Sequence, residues 1–385
     1  VALSFFIGCG QGQEAGQKQA PAPAAADKGD SGLSSSATVL RVHYPLAAGQ
    51  TLSVRGSTSP LNWMSGVSMT QKSATDYEFR ITGLTTTLQW KPLVGDSTWS
   101  IGMNYTATPG QTVDVYPHFY TTNGQYQRYY SDFHSNILDN DRGVWIYLPP
   151  SYYENTLAQY PVLYMHDGQN LFDPAASFAG VTWQVAQTLD AGSDALDPTL
   201  YIPEMVVIGP ENTSERIYEY TPVPDPTEMG GGGGDLYLAF LKTELKPAIE
   251  NDPLFKGRLL TDVNHTAMAG SSLGGLITAY AGITQPDVWS RLGIFSPSTW
   301  WDSDYIIGAV SMAGGVTPRW VHVYVDSGSP DDDQVDTANL AQEYRDIGYV
   351  DGSTLQYVLA PGASHDEAAW AARLPGALRF LCSDW

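Results

Sequence analysis

Two patterns of apolar and polar positions divide this chain. Between residues 38 and 119, short runs at 39–44, 51–54, 77–81, 87–90 and 112–116 alternate apolar with polar side chains, and Gly, Pro and Asn turns separate them at close spacing. A period of two is that of strands with one buried face, so the spacing predicts a small antiparallel β-sandwich over 38–119. After a connecting stretch at about 120–141 the runs become continuous: 142–150, 160–165, 205–209, 292–295 and 320–325, interleaved with helical segments. Continuous apolar strands alternating with helices predict a mostly parallel sheet covered on both faces over 120–385.

Within the second pattern, residues 266–276 run apolar, break into small residues and resume as an apolar helix. They contain Gly270-x-Ser272-x-Gly274. A serine at a sharp strand-to-helix turn takes strained backbone angles, and small residues on either side let the helix close on the strand. That elbow, with the layered pattern around it, predicts the α/β-hydrolase architecture and makes Ser272 a candidate nucleophile. A serine hydroxyl needs a base, and of the seven histidines His365 stands apart. It follows an apolar run at 355–359 and a Pro-Gly loop, and it precedes the final helical segment, which is the strand-loop-His-helix position of a hydrolase base. The acid must lie between the strand at 320–325 and His365, where Asp326, Asp331, Asp332 and Asp333 compete. Stabilising an oxyanion takes two backbone donors, for which the amide of Leu273 and that of Gly168 or Gln169 are placed correctly in chain order. Trp300, Trp301 and Arg216 are candidates to line the pocket, with Arg216 facing a substrate carboxylate, Glu219 or another neighbouring carboxylate of the fold.

Composition narrows the partners. Charged residues make up 16% of the 385 positions, yet the formal net charge is −22. Such a surface repels phosphate backbones, which excludes a nucleic-acid ligand. Two cysteines, Cys9 and Cys382, give no metal constellation, and the acidic run at 331–333 lacks the glycine and spacing of a calcium loop, so no cofactor is expected. The glycines at 230–234 lack the Lys-Ser/Thr ending of a phosphate loop and read as a hinge. Residues 1–8 with Cys9 resemble the end of a bacterial lipoprotein signal, with Cys9 as the lipidated residue. A Gln/Ala/Gly/Pro/Ser-rich tether over 9–37 follows, which together implies a cell-envelope, outer-membrane location.

Two resemblances add to this reading. Gly56-Ser-x-x-x-Leu61-Asn-Trp63, Gln89-Trp-Lys91 and Trp99-x-x-Gly-x-Asn104 resemble a starch-binding type of carbohydrate-binding module. The resemblance implies a sugar platform of Trp63, Lys91, Trp99 and Asn104, or a related sandwich that packs beside an active site. Tyr147-Leu-Pro-Pro-x-Tyr152, Pro161-Val-Leu-Tyr-Met-His-Asp-Gly-Gln-Asn-Leu-Phe172, Glu219-Tyr-Thr-Pro222, Glu244-Leu-Lys-Pro247, Ala269-Gly-Ser-Ser-Leu-Gly-Gly275 and Phe295-Ser-Pro-Ser298 resemble the putative-esterase family. That family holds feruloyl, acetylxylan and enterochelin-type esterases as well as mycolyltransferases. The likeness implies a serine esterase that needs no cofactor and acts through an acyl-enzyme on ester groups of glycans or related natural esters. The alternatives it leaves are a siderophore esterase, an acyltransferase and a non-enzymatic glycan-binding lipoprotein. In the resembling enzymes the acid comes three residues after the glycine of its loop, which here is Asp331, counted from Gly328.

Overall fold

The computed structural model describes residues 37–178, 180–228, 230–314, 321–329 and 331–385. Cys9, the segment before it and all of the tether except Ala37 lie outside the described residues, as does Trp320. Residues Ser36–Trp385 belong to one compact unit.

The alternating pattern folds into two facing sheets. In one, Thr38–His43 pairs antiparallel with Asp76–Ile81 and parallel with Thr112–Val115, so the sandwich is mixed and not purely antiparallel. In the other, Leu52–Gly56 pairs antiparallel with Leu88–Val94, flanked by short strands at Val67–Ser68, Thr98–Trp99 and Tyr105–Ala107. Leu40, Val42, Val54, Leu88 and Trp90 fill the space between them. This is the arrangement that one apolar face per strand requires.

The continuous runs form the main sheet. Its strands are β1 (Gln125–Ser135), β2 (Asn140–Leu148), β3 (Val162–Met165), β4 (Val206–Pro210), β5 (Thr266–Ser272), β6 (Arg291–Pro297), β7 (His322–Ser327) and β8 (Leu355–Leu359). They lie in the order β1-β2-β4-β3-β5-β6-β7-β8, antiparallel at β1, β2 and β4 and parallel from β4 onward. Both faces are dry. Val206, Ile208, Met268 and Ile294 pack with Leu276 and Ile277 of the elbow helix on one side, while Leu163, Val207 and Ala267 share the other side's core with Leu374 and Leu378 of the last helix. This is the α/β-hydrolase fold, with a β-rich region ahead of it.

The connecting stretch carries a strand of its own, because 11 of its residues form β1, an edge strand with bulges. Its polar residues face water, so it lacked the apolar signature of its neighbours. One sequence expectation changes here, because the glycines at 230–234 do not form a hinge. Gly230–Gly231 pairs with Pro224–Asp225, and a Cβ on Gly231 would sit 2.4 Å from Thr221 Oγ1 and 2.5 Å from the Trp301 ring. The chain packs too closely there for side chains.

A carboxylate and an amide tie the sandwich to the main sheet. Glu154 accepts the backbone N–H groups of Phe119 (2.5 Å), Tyr120 (3.1 Å) and Thr121 (3.0 Å), and the hydroxyl of Tyr44 at 3.1 Å. Asn155 Nδ2 donates to the carbonyls of His43 and Pro117, each at 2.9 Å.

Candidate active site

The elbow forms because the chain around Ser272 can contract. Ser272 has φ 58° and ψ −124°, and the 12-residue helix Leu273–Thr284 starts directly after it. A Cβ on Gly270 would lie 2.7 Å from His166 Cδ2 and 2.9 Å from the Gly274 backbone, and one on Gly275 would lie 2.9 Å from the Phe295 carbonyl oxygen. Small residues are therefore obligatory at these positions. As the first residue of its helix, Leu273 has an amide with no intrahelical acceptor. The Ser272 hydroxyl is 3.3 Å from Ser298 Oγ.

His365 lines the same cleft as Ser272, a cavity of about 400 Å³. Its Nδ1 is 2.5 Å from Asp332 Oδ1, which corrects the choice of Asp331. The Asp332 side chain is 1% exposed, whereas its neighbour Asp331 faces solvent. A family spacing counts residues along the loop, but the direction of each side chain depends on how the loop folds back on the end of β7. Burial alone would raise the Asp332 carboxyl, yet bonds from His365, Ser296 and the Gly328 amide outweigh it and hold the group below its ordinary range. Asp326 is taken up otherwise, bonded to Arg373 Nε at 2.7 Å and Nη2 at 3.1 Å. Asp333 accepts the Thr299 hydroxyl. The other histidines serve elsewhere. His166, for example, bonds Tyr237 at 2.9 Å, and burial pushes it down to about 4, so it is neutral near pH 7.

The loop after β3 faces the elbow. Asp167 takes left-handed angles (φ 57°, ψ 50°), and the 3-10 turn Gly168–Asn170 follows. The first hydrogen bond of that turn runs from the Asn170 amide to the Asp167 carbonyl at 2.8 Å, so the amides of Gly168 and Gln169 precede it. A Cβ on Gly168 would stand 2.0 Å from the Gly209 carbonyl oxygen, which admits only glycine. Asp167 is clamped by Arg216 Nε (2.7 Å) and Nη2 (2.8 Å) and by Asn212 Nδ2 (2.6 Å). Burial alone would raise this carboxyl, but the guanidinium beside it and these hydrogen bonds hold it below the usual range. Arg216 thus lines the cleft with its fork already occupied. Glu219 pairs with Arg142 instead.

Several predicted contacts do not assemble. Trp301 is buried and donates Nε1 to the Val223 carbonyl at 2.8 Å, and Trp300 lies on the surface, so neither lines the cleft. The aromatic walls are Trp183, Trp370 and the exposed Phe178. Trp183 stacks on Trp370 at 5.5 Å, and Trp370 meets the His365 ring edge-on at 5.1 Å. Nothing local marked them, because they come from a loop and a helix far apart in sequence. The four-residue sugar platform also comes apart. Trp63 and Trp99 approach to 6.1 Å with their planes tilted by 40°, and the Arg55 guanidinium covers Trp99. Lys91 is buried, its ammonium on the Gly102 carbonyl and facing the charge of Asp194. Asn104 lines a different groove, beside Tyr201 and Trp385. Among the described residues, no group of His, Cys, Asp and Glu could hold a metal ion.

The model of the family described as "Putative esterase" matches residues 135–381, more than half of the chain. The chain belongs to this esterase family. Among curated relatives, the uncharacterized protein YbbA of Bacillus subtilis is 30% identical over 170 residues, 42% of this chain and 59% of that protein. The siderophore triacetylfusarinine C esterase of Aspergillus fumigatus is 25% identical over 173 residues, 43% of this chain and 56% of that one. The chain thus spans less than three fifths of the curated relatives it matches. A solved IroE-like serine hydrolase from Shewanella oneidensis aligns with a TM-score of 0.53 at 22% identity, covering 68% of this chain and 80% of the other. At that identity the likeness speaks for the fold of this esterase-family chain.

Proposed function

We propose that this chain is a serine carboxylic ester hydrolase with Ser272 as nucleophile, His365 as general base and Asp332 as the acid that orients it. The observation that carries this reading is a serine on a strained elbow sharing one cleft with a histidine whose Nδ1 is held by a buried carboxylate. Ser272 Oγ, released from Ser298, attacks the ester carbonyl while its proton passes to His365 Nε2. The amides of Leu273 and of Gly168 or Gln169 receive the oxyanion. Collapse of the tetrahedral intermediate breaks the bond to the alcohol oxygen, which leaves with the proton from His365. Water then repeats the sequence on the acyl-enzyme, giving the carboxylic acid and free Ser272. The openness of the site to solvent, with the His365 side chain 40% exposed, supports hydrolysis over acyl transfer.

For the substrate, the walls of Trp183, Trp370 and Phe178 suit a flat or short acyl group of the feruloyl or acetyl type on a glycan or similar natural ester. A siderophore ester is the second reading, favoured by the match to the Aspergillus enzyme. Among the described residues lining the cleft, Arg216 is the one permanent cation, and its pairing with Asp167 supports an uncharged ester over an anionic iron complex. The test is turnover of p-nitrophenyl acetate and methyl ferulate by wild type, Ser272→Ala and Ser271→Ala. Loss of turnover in the first variant and its retention in the second are expected. Equal rates in Ser272→Ala and wild type would refute the serine mechanism. Lipid anchoring through Cys9 at the cell envelope is part of the same proposal, tested by acyl labelling of the full chain against Cys9→Ala.

A further inference from the structure

The strand β6 ends in an irregularity that the proposed chemistry leaves unused. In its register with β5, Ser271 faces Phe295 and Ser272 faces Pro297, so Ser296 is the extra residue of a bulge. Its φ is 37°, in the left-handed region that serine seldom occupies. A bulge re-aims the side chain it carries, and here it turns Ser296 away from the ladder and into the space behind the acid.

There the Ser296 hydroxyl is fully engaged. Its oxygen accepts Trp370 Nε1 at 3.0 Å and Arg373 Nη2 at 2.9 Å, and it lies 2.6 Å from Asp332 Oδ2. With both lone pairs taken by donors that cannot accept, its proton has one destination, the Asp332 carboxylate. Asp332 then keeps Oδ1 for His365 and receives Ser296 and the Gly328 amide at Oδ2. Behind this stands the buried Arg373–Asp326 ion pair, whose guanidinium reaches within 3.9 Å of Asp332 Oδ2.

We infer that Ser296 is a positioning residue, which locks the rotation and charge of Asp332 and thereby the orientation of His365, and which ties both to the Arg373–Asp326 pair. This rests on the assignment of Ser272, His365 and Asp332 made above. A spectator serine in a core would have no reason to sit at a left-handed angle with its single proton aimed at the acid. Losing that donor leaves the charge on Asp332 less spread and more attractive to a proton on the imidazole 2.5 Å away. The acid limb of the kcat/KM profile, which reports loss of the free base, then moves to higher pH. The other charged groups lining the cleft are Glu367, Asp167 and Arg216, while Asp331, Asp333 and Asp366 are the chain neighbours of the pair, Asp331 on the solvent side and Asp333 bonded to Thr299. They are the same in wild type and variants, so their effect cancels in the comparison.

Two variants test this on the full chain with p-nitrophenyl acetate. Ser296→Ala removes the hydroxyl and keeps the Cβ, whereas Ser296→Gly removes it and also relieves the left-handed backbone. For a folded variant we expect kcat to fall on the order of tenfold with KM little changed, and the acid limb to rise by about half a pH unit. Wild-type kcat and an unmoved acid limb in either folded variant would overturn the inference, and failure of both to fold would assign Ser296 a structural role and also overturn it. Asp332→Asn is measured in parallel. Wild-type turnover there would instead refute the assignment of the acid, so the two failures are distinguishable.

Discussion

His365 Nδ1 and Asp332 Oδ1 stand 2.5 Å apart, a half-exposed imidazole held by a carboxylate whose side chain is 1% exposed. Adjacent carboxylates therefore have unequal consequences. Asp332→Asn presents an amide where the imidazole N–H needs an acceptor, and kcat is expected to fall by about 10⁴. Asp331→Asn, on the solvent side, is expected to stay within about twofold of wild type, as surface changes usually do. Steady-state kinetics on one ester decides it, and the reverse order would return the role to Asp331.

Arg216 and Asp167 form a pair that ties the cleft wall to the loop carrying Gly168 and Gln169. Arg216→Gln leaves the carboxylate with Asn212 alone, at an expected cost of roughly 2 kcal/mol at neutral pH, discounted because the Arg216 side chain keeps 27% exposure. For a chain of this size that lowers Tm by several degrees. The Asp167 carboxyl is held below its unfolded range, so its contribution is complete above about pH 4 and is lost as pH falls through the folded value. The Tm gap between wild type and variant should therefore narrow on acidification below about pH 4. A gap independent of pH would mean that the pair does not carry the difference.

Lys91 is buried with its ammonium on the Gly102 carbonyl, the geometry of a joint and not of a sugar contact. Lys91→Ala strips the Gly102 carbonyl of its partner in a buried setting, so a loss of about 1–3 kcal/mol is expected, with no change in ester turnover. Trp63 and Trp99 pack on each other with Arg55 over Trp99, so Trp63→Ala with Trp99→Ala should lower Tm, and wild type should pass unretarded through affinity gels of starch, xylan or pectin. Retardation abolished by the double variant would restore the sugar platform.

Glu154 gathers three consecutive backbone N–H groups at the seam between sandwich and main sheet. Glu154→Ala leaves those donors to water. Faster proteolytic cleavage at residues 119–124 is expected, along with a lower Tm and kcat little altered, since the seam does not touch the cleft. Unchanged cleavage would show that the apolar contacts of the seam suffice.

What the chain alone determined is what short stretches encode. The period of two before residue 119 and the continuous apolar runs after residue 142 specify which faces must be buried, and from that the two kinds of sheet follow. The small residues around Ser272 specify a turn that no larger residue permits, and the strand-loop-helix context isolates His365 from the other histidines. These features are local, because backbone geometry over a few residues answers to the residues themselves. Tertiary structure decided the rest. Asp332 rather than Asp331 reaches His365 because the loop folds against β6 and the last helix, where Ser296 and Arg373 receive it. The cleft walls are Trp183 and Trp370 because a loop and a helix from opposite ends of the catalytic region converge there. Lys91 became a joint because the sandwich docks on the segment at Ser193 and Asp194. A side chain's direction and its distant partner are fixed by contacts across the fold, and no window of sequence contains both ends of such a contact.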